Sequence, residues 1–210
     1  MWSLSLEWML LALVVFWAVG AYNRLAKLRS SCVQQFGVLD AHLGQWHAML
    51  QEFDAQQPAA DAGATAQAHA RAALTQTTAQ LQAALVDARG RPLRETALAS
   101  LEHACTVLEV AWLAMVKVTG DGSAAEALPP AETPGAAASG TAMLQPWLQR
   151  WTEHQVRTRL GLQQFNAAAT RHNAAIAQFP ASLLGWLLGF RPVRCLQVEP
   201  AAPKGQESAT

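Results

Sequence analysis

One isoleucine, Ile176, and one tyrosine, Tyr22, are all the chain has of either residue. Charge is also scarce: 14% of the residues are Asp, Glu, Lys or Arg, against about 25% in an average soluble domain. Neither sign is in excess, with 15 basic and 15 acidic residues. Each scarcity excludes something. Without a basic excess there is no footprint for general nucleic-acid binding, which rests on neutralising phosphates. Low charge with 51% apolar residues excludes disorder of the whole chain. Three cysteines, Cys32, Cys105 and Cys195, are too few and odd in number for a disulfide framework. One isoleucine against 43 Ala, 28 Leu and 18 Gln favours helix over strand, because these side chains lose little rotamer freedom in a helix.

Chemistry-bearing constellations are lacking as well. The histidines are His42, His47, His69, His103, His154 and His172, and no two are spaced i, i+4 as in a helical zinc site. No His-Glu-x-x-His or Cys-x-x-Cys occurs. Glu102, His103 and Cys105 are close in sequence, but Cys105 belongs to an apolar seam and the other two flank it. No Glu-x-x-His pairs suit a di-iron bundle, and Gly120-Asp121-Gly122 sits in a linker rather than a phosphate loop. With no nucleophile, base or metal set at usable spacing, the expectation is a protein without catalytic activity, cofactor or metal.

What is present begins at the N-terminus. Residues 8–22, WMLLALVVFWAVGAY, carry no charge. From Trp2 to Tyr22 a helix is about 31 Å long, the thickness of a hydrocarbon core of about 30 Å. Trp2 and Trp8 at one end, with Trp17 and Tyr22 at the other, suit interfacial aromatic belts. A signal peptide is the rival reading, with Val19-Gly20-Ala21 as its cleavage site, but Met1 to Glu7 holds no Lys or Arg. An uncleaved transmembrane anchor is expected over 1–22, with Trp8, Leu11, Phe16, Trp17 and Tyr22 as its lipid-facing residues. Arg24, Lys27 and Arg29 follow directly and no basic residue precedes. The positive-inside rule then puts the N-terminus outside and the rest in the cytoplasm, on a single-pass protein of the cell inner membrane.

Beyond the anchor, helical periodicity dominates. Tyr22, Leu25, Cys32, Phe36, Leu39, Leu43, Trp46, Leu50 and Phe53 are the apolar positions, forming a heptad seam from Cys32 onward that is interrupted at Gln57-Pro58 and Gly63. An alanine-rich helix over 64–89 has only Leu74, Leu81 and Leu85 as large seam residues and is expected to be the least well anchored. After Arg89-Gly90-Arg91-Pro92, a helix over about 92–119 carries Leu98, Leu101, Cys105, Leu108, Trp112 and Met115. The last long helix is expected from Pro146 at N1, with a seam from Trp147 and Trp151 through Thr158, Leu162, Phe165, Ala169, His172 and Ile176 to Phe179. Ser182 is expected to cap a short apolar segment, SLLGWLLGF. The fold class is therefore all-α: an N-terminal transmembrane helix, then an antiparallel up-and-down bundle of long helices over 23–191. A flexible linker is expected at 120–142 and a disordered tail at 192–210.

Two stretches carry a family resemblance. Tyr22-Asn23-Arg24-Leu25, Leu28-Arg29, Leu39-Asp40, Leu43 and His47 form the first. Phe165-Asn166, His172-Asn173, Ile176, Phe179-Pro180, Leu184 and Leu188-Gly189-Phe190 form the second. In this order they resemble the opening and closing motifs of LemA family proteins. The resemblance implies a single membrane anchor carrying an antiparallel helical bundle, with no established enzymatic activity. The chain departs from the family at Trp46, where a basic residue is usual, and at Gln51, where a proline is usual. Residues 54–140 show no match.

Four local features invite a role. Asn166 and Asn173 are seven apart, so they share a helix face, and hydrogen bonding between helices that fixes register is preferred over a binding stripe. Asn23 is grouped with them. Gly37 and Gly161, alone inside helices, are read as points of close backbone contact. SLLGWLLGF either caps the bundle or touches the membrane. Contact is preferred, because an apolar run of this kind is otherwise an exposed patch and the fourth helix returns to the bilayer. The expected function is a scaffold or adaptor, with the bilayer, a protein partner or its own copies as partners and no nucleic acid. The alternative is an extracytoplasmic ligand-sensing four-helix bundle.

Overall fold

The computed structural model describes residues 2–57, 65–125, 136–179 and 181–197, and these are all-helical with no strand. The elements are α1 (Trp2–Gln56), α2 (Thr65–Gly90), α3 (Glu95–Ala125), α4 (Ala136–Ala177) and a short α5 (Ala181–Leu187).

Nothing between Trp2 and Gln56 breaks helical propensity, so anchor and first bundle helix are one rod of 55 residues, about 80 Å long. Its two parts differ in surroundings. Large apolar residues from Leu6 to Val19 are exposed, whereas Leu25, Cys32, Phe36, Leu39, Leu43, Trp46, Leu50 and Phe53 are buried. The seam predicted from spacing is thus the core face of α1.

Around the bundle each helix packs on two neighbours: α1 on α4 and α2, α3 on α2 and α4. Paired residues show the antiparallel sense. Going up α1, Phe36, Trp46 and Phe53 meet Phe165, Trp151 and Trp147 of α4 in descending order. Asp40 and Asp54 of α1 meet Arg89 and Arg71 of α2. The end farthest from the apolar stretch is closed by aromatics. Trp112 of α3 stacks on Trp151 at 4.6 Å and 10°, and Phe53 crosses the core diagonal to Trp112 at 5.1 Å. Helix α2 supplies Leu74, Leu81, Leu85 and small residues, and no aromatic.

Several boundaries move. Helix α3 starts at Glu95, because Pro92 lies in a turn where Arg91 N–H bonds the Asp87 and Ala88 carbonyls. It then continues through Gly120-Asp121-Gly122 to Ala125. An interior glycine costs about 1 kcal/mol but does not stop a helix already propagating. Helix α4 begins at Ala136, so Pro146 is inside it rather than at N1. The alanines ahead of Pro146 favour helix enough to extend it upstream. The expected linker 120–142 therefore contracts at both ends, and residues 126–135 are outside the described part, as are Pro58 and Gly63. Ser182 is inside α5, its N–H bonded to the Gln178 carbonyl.

Gly161 is where α1 and α4 come closest: a Cβ there would sit 3.3 Å from His42 Cδ2 and 3.5 Å from Leu39 Cα. Gly37 has nothing within 4 Å and makes no such contact, contrary to expectation.

Candidate functional site

The end of the bundle next to the apolar stretch, here the proximal end, gathers most of the predicted site residues. Trp8, Leu11, Phe16, Trp17 and Tyr22 are exposed along α1. By length and composition α1 can cross a membrane; α3 also passes that test, but much of it is buried in the bundle.

Helix α4 returns to this end, and α5 folds against both α4 and α1. Gly185 allows the close approach, since a Cβ there would be 3.2 Å from Ile176 Cγ2. After Leu187 the chain reverses at Gly189, φ +71°. Phe190 N–H bonds the Gly185 carbonyl and Gly189 N–H the Trp186 carbonyl, the paired bonds of a Schellman ending that needs a left-handed residue. Phe190 then meets Tyr22 edge-on at 6.1 Å and His172 at 6.4 Å. The outward side of α5 stays apolar: Trp186 is 84% exposed, and Leu183, Leu187 and Leu188 are also exposed. Phe179, expected at the end of the α4 seam, is 81% exposed. It lines a groove of about 490 Å³ with Leu13, Phe16, Trp17 and Arg24, so it lies beside the apolar part of α1 and beyond the bundle core. Pro180 falls outside the described residues.

Residues 192–197 were expected in a disordered tail. Instead they run extended along α4, with Val193 3% and Leu196 2% exposed. Asn173 and Asn166 hold them. The Asn173 amide donates to the Val193 carbonyl at 2.8 Å and its Oδ1 accepts the Val193 N–H at 2.8 Å. Asn166 does the same for Leu196, at 2.7 and 2.9 Å. Seven residues of helix and three of extended chain both advance about 10 Å, so two asparagines seven apart match two backbone sites three apart. The asparagine pair therefore fastens an irregular strand, and does not bridge helices. Asn23 is exposed and takes no part.

Compared with family models, curated proteins and solved structures, the chain matches none.

A second cavity at the proximal end, about 760 Å³, opens between α1, the α2–α3 turn, α4 and the segment after α5. Arg29, Arg91, Arg94 and Arg191 line it, with no carboxylate in its wall. His172, 1% exposed, also lines it. Its Nδ1 is buried without a hydrogen-bond partner among the described residues. Burial holds this imidazole below the ordinary histidine value, the Arg191 backbone opposes the shift, and Arg29 adds to it. Of the expected orientation charges, Arg29 belongs to this cavity and Arg24 to the apolar groove, while Lys27 is exposed. Sequence reading did not bring these arginines together. The available signal was that, in an up-and-down bundle, residues after the anchor, in the second turn and after the fourth helix share one end.

Two of the three thiols, Cys32 and Cys105, are buried and held protonated. Burial, helped by Glu109 and Glu102, pushes Cys105 up to about 12, and burial raises Cys32. Among the described residues no three His, Cys, Asp or Glu side chains come together as metal ligands.

Proposed function

We propose that the chain is a LemA-like, single-span membrane protein that stands its helical bundle on the cytoplasmic face of a bacterial inner membrane, as a non-catalytic scaffold or adaptor. The observation that carries this reading is the meeting of two separate apolar segments. The exposed front of α1 and the exposed side of α5, with Phe179 between them, lie next to each other at one end of the bundle. Covering such a surface with lipid removes a large apolar area from water. Immediately beyond it the charge is basic, from Arg24, Lys27 and Arg29, as the positive-inside rule requires of a cytoplasmic side. In the sequence, residues 57–64 and 121–132 contain no Lys or Arg. The part of α1 beyond the anchor, about 50 Å long, then displays helix faces away from the bilayer, which suits lateral pairing with another protein or a second copy.

Three measurements test the reading. The full-length chain in native membranes should resist alkaline extraction, and a reporter fused after Thr210 should report the cytoplasm. Release by alkali removes the anchor, and an external reporter signal removes the cytoplasmic orientation in favour of an outward-facing sensor. Crosslinking in those membranes should recover one partner or a dimer through helix faces. A variant with those faces scrambled that recovers the same partner overturns the adaptor role.

A further inference from the structure

We propose that the arginine-lined cavity at the proximal end is a binding site for a phosphate-bearing anion, supplied by an anionic lipid headgroup or by a free phosphate compound. Four guanidinium groups arrive from three separate parts of the chain: Arg29 from α1, Arg91 and Arg94 from the α2–α3 turn, Arg191 from the segment after α5. Of the eight arginines elsewhere, five are paired with carboxylate, whereas Arg24, Arg159 and Arg171 have no such partner among the described residues. Arg71, Arg89, Arg150, Arg157 and Arg194 each have an Asp or Glu partner. The four cavity arginines have none among the described residues. A chain of zero net charge has enough carboxylates to neutralise this cluster, and none is placed there. All four side chains are exposed and free to gather around an anion that several planar donor forks can share; tetrahedral phosphate is the group such forks suit best.

Further observations shape the site. His172 lines the same cavity and is almost fully buried. The wall is pre-set: Asn173 fastens Val193, two residues beyond Arg191, through a pair of backbone bonds, and Arg91 is tied by its own N–H to the end of α2. The volume, about 760 Å³, is that of a small-molecule site and exceeds a bare phosphate. The rim includes Tyr22, the last residue of the apolar stretch. Arg29, seven residues on, is about 10 Å farther along the helix, at the outer edge of a headgroup zone about 5–8 Å thick that its long side chain can reach back into. Basic pockets at that depth bind anionic headgroups. The lipid source rests on the membrane-anchored reading; the phosphate chemistry does not.

The test uses the full-length chain in neutral detergent micelles, read by native mass spectrometry. It is offered phosphatidic acid, phosphatidylcholine with the same acyl chains, or inorganic phosphate. Hydrogen exchange at the α2–α3 turn serves as the second readout. The lipid source predicts one tightly held phosphatidic acid per chain, little phosphatidylcholine, and slowed exchange in the turn only with phosphatidic acid. Inorganic phosphate slowing the turn by itself identifies a free phosphate compound instead, and stands even if the anchor reading fails. In either case the double variant Arg91→Gln/Arg94→Gln should lose affinity about tenfold or more. The control Lys117→Gln/Arg159→Gln, which removes the same charge from exposed positions outside the cavity, should not. Equal binding by both double variants, or no binding of either phosphate probe, overturns the proposal. Unchanged melting of the variants shows that a loss is not unfolding.

Discussion

At the scale of single residues, two glycines that look alike in sequence have opposite surroundings. Gly37→Ala places a methyl in open space within a helix and should stabilise by about 0.5–1 kcal/mol through helix propensity. Gly161→Leu drives a side chain into His42 and the Leu39 backbone and should destabilise by about 1–3 kcal/mol through overpacking. Denaturant titration of the full-length protein reads both, and a reversed order would contradict the α1–α4 approach. Buried imidazoles give a second prediction. Burial lowers His47, His154 and His172, and nearby Arg89 for His47, Arg157 and Arg150 for His154, and Arg29 for His172 push the same way. Glu153 opposes the shift at His154, and the Arg191 backbone at His172. With folded values below the free imidazole value of about 6.5, the unfolded chain takes up protons first as pH falls. Stability should be fully present above about pH 6.5 and fall below it, ahead of the carboxylates. A denaturation midpoint that is flat from pH 7 to pH 5 would sink this.

At the scale of elements, the asparagine pair acts on a segment with no secondary structure of its own. Asn173→Ala leaves the Val193 N–H and carbonyl without partners, and Asn166→Ala does the same at Leu196. Each should cost about 1–3 kcal/mol. The locus is readable by hydrogen exchange. The Val193 amide should lose protection in the first variant and the Leu196 amide in the second, while the α1 and α3 core amides stay protected. Loss of protection throughout the bundle would mean that the asparagines support the helices instead. Heptad spacing announced that the two side chains share a face, and register-fixing between helices was the expected use. The actual partners are twenty and thirty positions away in a stretch of mixed composition, and no periodicity marks them.

At the scale of the whole molecule, the two ends of the bundle do different work. The far end is an aromatic lock in which Phe53, Trp112, Trp147 and Trp151 meet across three helices. Trp112→Ala should cost about 3–5 kcal/mol and lower the melting temperature of the bundle as a unit. A local loss confined to α3 would show that the helices do not unfold together. The proximal end joins an apolar surface to an arginine-lined cavity. In lipid nanodiscs a photoactivatable lipid should label the segment from Leu183 to Leu188 as well as the front of α1. Labelling of α1 alone would return SLLGWLLGF to the role of a bundle cap.

The sequence by itself determined that the long helices form and which face of α1, α2 and α3 turns inward. The seam leucines and aromatics of α1, α2 and α3 read from spacing are the buried ones, because a 3.6-residue period and a contiguous apolar stripe leave a helix one way to face a core. Composition likewise settled the all-α class and the exposed apolar start of α1. Only the tertiary structure decided where α3 and α4 end and begin, that residues 192–197 are pinned rather than loose, and that arginines from α1, a turn and the segment after α5 share one cavity. Those outcomes depend on groups distant in sequence meeting at a common height in the bundle. Height is set by the relative lengths and stagger of helices, which local periodicity does not encode.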